Sequence, residues 1–193
     1  MEIALLRHGK PAGISNVSVS ASQFGHWIAS YNSAGVAESS VPPQASLEYA
    51  RTCGVVITSN LLRSVRSAEF LHVKNYQAPD NLFAEAGMPY ATWVTLKLPP
   101  KYWAVLFRVL WYLGYSKNSE SYGEARKRSV LAARQLIDLA ESHQSVLLVG
   151  HGIFNRLVAR ELKGLGWIGP DNPGSKYWAF RTYSKLPDNA GNG

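Results

Sequence analysis

Apolar positions follow two rhythms along this chain. Short runs of apolar or β-branched residues occupy 2–7, 55–59, 82–85, 146–150 and 177–183, each closing in polar or glycine-rich sequence, which is the pattern of buried strands. Between them apolar residues recur at helical spacing. Leu61, Val65, Ala68 and Leu71 predict a helix over 61–73, Val130, Ala133, Ile137 and Ala140 one over 121–142, and Phe154, Leu157, Val158 and Leu162 one over 153–164. Weaker patterns predict helices over 20–32 and 45–52. Strands alternating with helices argue for an α/β protein of three layers, a mainly parallel sheet flanked by helices. In that architecture ligands bind outside the carboxyl ends of the strands.

One apolar stretch does not fit the alternation. Tyr102 to Tyr115 is shorter than a spanning helix of about 20 residues and carries Arg108 in its middle, so it predicts a buried helix or an apolar lid, with no stable membrane insertion. The chain has 193 residues, enough for one domain with a sizeable core, and a formal charge of +7 from 20 Lys and Arg against 13 Asp and Glu. A basic balance suits nucleic acid, an acidic membrane face or a small anion. The charges are spread, however, and the one cluster, Arg126-Lys127-Arg128, falls in a predicted helix where it reads as a solvated face. No nucleic-acid-binding signature accompanies it, and nucleic acid is not an expected partner. The single cysteine, Cys53, precedes an apolar run and reads as a small buried hydrophobe. Met1 leads directly into a predicted strand without the pattern of a signal peptide, so the expected location is cytoplasmic.

Two predicted strands end alike. Leu6-Arg7-His8-Gly9 closes the first, and Val149-Gly150-His151-Gly152 closes another just before a helix opens. Glycine lets the backbone turn sharply near a ligand, and the first N–H groups of a helix favour an anion. After the 55–59 strand, Ser59 stands at the strand end and Arg63 in the first helical turn. Alone this is a capped helix with a solvated arginine; beside Arg7 it supplies a second guanidinium able to fork onto phosphate oxygens. Glu85 is the one acid near a predicted strand end with apolar and small neighbours, a surface carboxylate being the other reading.

In this order and spacing the pieces resemble the histidine phosphatase superfamily, with its phosphoglycerate mutase-like fold, over residues 1–184, leaving 185–193 as a polar tail. Leu6-Arg7-His8-Gly9 looks like the family's first signature. The stretch from Ser59 to Ala68 is similar to its Ser-Pro-Leu-x-Arg-Ala-x-x-Thr-Ala motif, with Asn60 and Ser67 in place of proline and threonine. Gly150-His151-Gly152 is similar to the second histidine motif. The resemblance implies a phosphomonoester hydrolase needing neither metal nor cofactor. His8 would be the nucleophile, neutral, with one ring nitrogen free and the other held by a carbonyl. Arg7, Arg63 and His151 would surround the transferring phosphoryl group, and Glu85 would protonate the leaving oxygen and then deprotonate water. Gly9, Lys10, Asn16, Ser59, Gly152 and Asn155 complete the expected substrate-binding set. Lys10-Pro11 follow Gly9 where many members carry Glu-Thr, and Ile14 stands where an asparagine is common, which Asn16 replaces if the loop is longer. Asn155 reads equally as a helix cap or surface polar group.

The chain is short for a sugar-phosphate mutase of this fold, which favours hydrolysis. The 88–115 segment would be a small helical and aromatic cap. Trp93, Tyr102, Trp103, Phe107, Trp111 and Tyr112 either wall the pocket, favouring a leaving group less polar than a sugar, or pack the cap on the body. The long cap counts against a protein phosphohistidine phosphatase, and the intact Arg7, His8, Arg63 and His151 count against a non-catalytic phosphate-binding member. The expected partner is a small phosphorylated substrate. No feature of the sequence marks an oligomeric state.

Overall fold

The computed structural model describes residues 1–73, 76–78, 80–93 and 95–185; the expected tail, Lys185 apart, lies outside them. Four strands, β1 (Glu2–Arg7), β2 (Val55–Thr58), β3 (Ser145–Gly150) and β4 (Phe180–Ser184), form one sheet in the order β2-β3-β1-β4. β2, β3 and β1 run parallel and β4 is antiparallel to β1, so the sheet is mainly parallel as the alternation implies. Six helices accompany it: α1 (Ala21–Ser33), α2 (Gln44–Thr52), α3 (Leu62–Phe70), α4 (Pro100–Tyr112), α5 (Tyr122–His143) and α6 (Gly152–Gly164).

The apolar strand runs are continuous because both faces of the sheet are covered. Ile3, Leu5, Ile57, Val146 and Leu148 point to the α5 and α6 side, while Ala4, Leu6, Val56, Leu147 and Val149 point to the α2 and α3 side. Ala125, Ala132, Ala133 and Ala140 line the buried seam of α5, and their small side chains let a long helix lie close against the strands. A third apolar cluster stands apart from the sheet, joining Ala21 and Phe24 of α1 to Trp103 and Phe107 of α4. It joins α1 to residues of the 88–115 segment, the stretch expected to form a cap.

Two strand expectations need correction. Residues 82–85 form no strand: Asn81–Phe83 is a single 3-10 turn, capped by the Asp80 carboxylate accepting from the Leu82 amide at 2.8 Å. Without a sheet partner, the Leu82 and Ala84 carbonyls are satisfied by an arginine side chain described below. The last strand begins at Phe180, three residues later than expected, because Trp178 has a positive φ of 63° that turns the chain just before it.

Candidate active site

The parallel register sets the site. Arg7 lies opposite Gly150, and Thr58 opposite Val149, so β1, β2 and β3 all end along one edge. The His8 amide donates to the Gly150 carbonyl at 3.0 Å, extending the ladder by one residue. His8 and His151 therefore emerge side by side, with ring centroids 5.1 Å apart and planes tilted by 56°. Both are buried, as are Ser59 and Arg63, while Arg7 is half-buried.

Hydrogen bonds define the ring nitrogens. His8 Nδ1 lies 2.7 Å from the Gly9 carbonyl, which only accepts, so Nδ1 carries the proton and Nε2 the lone pair. Arg63 Nε donates to that Nε2 at 3.3 Å. The pKa of His8 is lowered to about 3, chiefly by burial and then by the Arg63 charge, with Arg7 adding to the shift and the Gly9 bond opposing it. His151 is held well below its ordinary value for the same leading reasons, burial and Arg63. Both imidazoles are thus neutral near pH 7, as the resemblance requires of the nucleophile. His151 Nε2 lies 2.6 Å from Ser59 Oγ, leaving Nδ1 without a partner. Arg7 Nε and Arg63 Nη2 are likewise buried without a hydrogen-bond partner in the protein. Buried polar atoms without partners are costly, and these three side chains stand around the His8 ring.

The small residues of the motifs hold this arrangement. A Cβ on Gly9 would stand 2.4 Å from the Trp178 ring, and one on Gly150 would stand 2.3 Å from Asn155 Oδ1. These glycines make room for packing partners, whereas a Cβ on Gly152 would make only ordinary contact, 3.5 Å from Arg7 Nε. Ser67 Oγ donates to the Arg63 carbonyl at 2.6 Å and accepts from the Gly9 amide at 2.8 Å, so its hydroxyl ties the first strand's end to the helix that carries Arg63. Asn155 is buried and its side chain is engaged within the protein. Its amide accepts from His151 N at 3.2 Å and donates to the Leu6 carbonyl at 3.1 Å, joining the two histidine-bearing strand ends.

Glu85 reaches the same edge from the 3-10 turn. Its carboxylate accepts from the Phe154 and Ile153 amides of α6 at 2.9 and 3.4 Å, immediately after His151-Gly152. Two arginines fix its loop. Arg128 donates to the Leu82 and Ala84 carbonyls at 2.8 and 2.9 Å, and Arg108 to those of Ala86 and Gly87 at 3.1 and 3.0 Å. Arg128 is therefore no part of a solvated face: its guanidinium also pairs with Glu120 at 2.5 Å and stacks over Phe154.

Two clefts lie beside this edge, and none of Arg7, His8, Arg63 and His151 lines either. One of about 320 Å³ is lined by Glu85, Asn32, Asn81, Asn118 and Ser119, with Ile28 and Met88 among its apolar walls. Asn32 Oδ1 also accepts from Arg63 at 3.4 Å, which ties the cleft to the histidines. The other, about 390 Å³, holds Lys10, Asn16, Tyr31 and Tyr177. Lys10 and Asn16 are exposed there. The six aromatics singled out in the sequence wall neither cleft, although Tyr90 of the same segment lines the first. Trp103, Phe107 and Trp111 are buried in packing, and Tyr102, Tyr112 and Trp93 face outward.

Two aromatic residues that the motifs do not mark stand over the arginines instead. The Tyr177 ring lies 4.5 Å from the Arg7 guanidinium and 5.8 Å from the His8 ring, and the Tyr31 ring lies 4.8 Å from that of Arg63. Burial and the neighbouring Tyr177 push the Tyr31 phenol up to about 12, so it stays neutral. Tertiary contacts connect them to the site, Arg63 also donating to the Tyr31 carbonyl at 3.1 Å, and no local pattern around positions 31 or 177 announces this.

No family model matches the chain, and no curated protein sequence matches it. Solved structures do. A mycobacterial glucosyl-3-phosphoglycerate phosphatase in complex with VO3 aligns with a TM-score of 0.60 at 18% identity, over 94% of this chain and 91% of that one. The ecdysone phosphate phosphatase of Bombix mori, in complex with tungstate, aligns with a TM-score of 0.56 at 14% identity, over 100% of this chain and 96% of that one. At these identities the likeness is one of fold.

Proposed function

We propose that this chain, which has the phosphoglycerate mutase-like fold of the histidine phosphatases, hydrolyses phosphomonoesters through a phosphohistidine on His8. The observation that carries this reading is the set of three orphaned buried atoms, Arg7 Nε, Arg63 Nη2 and His151 Nδ1, around a neutral imidazole. They match the need of a phosphoryl group, which gathers negative charge on its equatorial oxygens during transfer. The two fold neighbours, both phosphatases in complex with an oxyanion, support the same chemistry.

In the proposed cycle His8 Nε2 attacks phosphorus while Nδ1 keeps its proton on the Gly9 carbonyl. The P–O bond to the leaving group breaks, and the leaving oxygen takes a proton from the Glu85 carboxyl. Water then attacks the phosphohistidine, gives a proton back to Glu85, and the P–N bond breaks to release inorganic phosphate and neutral His8. Arg7, Arg63 and His151 meet the oxygen charge throughout, the work a divalent cation performs in other phosphoryl-transfer sites. Glu85 lines the asparagine-rich cleft, which supports that cleft as the side on which the leaving group would depart.

The test is hydrolysis of p-nitrophenyl phosphate in EDTA by wild type and His8→Ala, with acid quench to trap phosphoenzyme. Turnover with an acid-labile phosphoenzyme, both lost in His8→Ala, is the expected result. Turnover that survives in His8→Ala would overturn the mechanism.

A further inference from the structure

Beyond Lys101 in its first turn, the solvent face of α4 is apolar. Tyr102, Val105, Leu106, Val109, Tyr112 and Leu113 follow at helical spacing and are 45–78% exposed, while Trp103, Phe107 and Trp111 fill the opposite, buried face. Arg108, the one charged residue of the helix after Lys101, turns away to the Glu85 loop and stacks on Trp111 at 4.5 Å. A helix apolar all round has apolar surroundings all round in proteins at rest, yet this one faces water on one side. Nor are these residues scattered. Among the described residues sixteen large apolar side chains are exposed, and eight of them lie between Trp93 and Leu113. A contiguous exposed patch of this kind marks an interaction surface.

Charge indicates what the surface meets. From Ala86 to Ser119 the chain has no Asp or Glu, but it has Lys97, Lys101 and Lys117, all exposed. At the carboxyl end of the stripe, Tyr112 shares a groove of about 410 Å³ with Arg156, Arg160 and Lys163 of α6. The acid of that groove, Asp171, is paired with Lys163. The patch is thus apolar at its centre and basic at both ends, with tyrosines at the two boundaries.

We propose that this face rests on an anionic phospholipid bilayer. The α4 stripe would enter the headgroup boundary in the plane of the membrane, with Tyr102 and Tyr112 at the level where amphipathic rings concentrate, and the lysines and arginines against lipid phosphates. The association is peripheral, since no helix among the described residues is long and apolar enough to cross a membrane. A second copy of the chain fits the face less well, because pairing it with itself would oppose like-charged lysines in a protein of net charge +7. The proposal is independent of the phosphatase chemistry.

Co-sedimentation with phosphatidylcholine vesicles, with and without phosphatidylglycerol, tests it. Wild type is expected on the phosphatidylglycerol vesicles, with binding that weakens as salt rises. The double variant Val105→Glu/Val109→Glu should lose about tenfold or more in partitioning. Lys97→Glu/Lys101→Glu, which leaves the stripe intact, should lose binding to anionic vesicles specifically. Circular dichroism confirms that each variant is folded. Failure of wild type to bind, binding that is indifferent to both variants, or a wild-type dimer that the valine pair makes monomeric would overturn the proposal, the last by giving the face to a second copy.

Discussion

Each arginine of the site is backed by a tyrosine ring, Arg7 by Tyr177 and Arg63 by Tyr31. A guanidinium free to swing loses rotamer entropy when it clamps a phosphate; one stacked on a ring is already placed, and such contacts contribute about 0.5–2 kcal/mol. Trp178 makes the Tyr177 placement possible. Its left-handed backbone, φ 63°, sends Trp178 into the core, where its indole donates to Ser40 Oγ at 2.9 Å, and leaves Tyr177 leaning over Arg7. Bulky residues rarely adopt that conformation, and local packing has to hold it there. Steady-state kinetics on p-nitrophenyl phosphate are expected to show Tyr177→Phe within about twofold of wild type, since the ring does the stacking. Tyr177→Ala should lower kcat/KM by about fivefold to tenfold, mostly through KM. Equal losses in both variants would assign the effect to the hydroxyl. The identities of His8, His151, Arg7 and Arg63 were legible because strand ends and glycines mark them in the sequence. Tyr31 and Tyr177 were not, since α1 and the turn before β4 are brought over the arginines only by the tertiary fold. Asn155 was legible as a residue but not in its task, which is to bond the backbones of two strands far apart in sequence.

At the scale of elements, the proposed acid, Glu85, is a loop residue made rigid by helices. Arg108 from α4 and Arg128 from α5 together take the carbonyls of Leu82, Ala84, Ala86 and Gly87, bracketing Glu85 on both sides. An acid held this way matters only when the leaving oxygen needs a proton, and general acids contribute about a hundredfold to ten-thousandfold in such cases. Arg108→Ala should therefore slow hydrolysis of an alkyl phosphate such as glycerol phosphate at least about tenfold more than that of p-nitrophenyl phosphate, whose phenolate leaves unprotonated. Equal slowing of the two substrates would show that Arg108 only supports the fold. In sequence 82–85 looks like a strand because the run is short and partly apolar. The turn owes its shape to guanidinium donors that arrive more than 20 and 40 residues later, which no local pattern contains. The same distance hid Arg128, whose charge cluster looked solvated until α5 was packed against the loop. By contrast β1, β2 and β3 were legible to within a residue, because a strand buried on both faces must be continuously apolar.

For the whole molecule, the site sets a stability limit in acid. His8 and His151 are neutral in the fold, with His8 lowered from 6.5 to about 3 and His151 well below 6.5, whereas both regain the ordinary value when the chain unfolds. Between pH 6.5 and about 3 the unfolded state binds protons that the native state refuses, so stability is fully present above pH 6.5 and falls as pH drops through that window. With both groups buried the loss is on the order of a few kcal/mol, a large share of what a domain of this size has to spare. Carboxylates with ordinary values near 4.5 and 3.8 add their own terms only lower down, which leaves the range from pH 6.5 to about 4.5 to the histidines. Thermal unfolding followed by circular dichroism should show Tm falling steadily across that range in wild type. The slope should be shallower in His8→Asn, which removes one proton-binding group from the unfolded chain while keeping a polar side chain in the site. A wild-type Tm that stays flat from pH 6.5 to 4.5 would mean that the two imidazoles accept protons in place, and the neutral nucleophile on which the proposed chemistry depends would go with it.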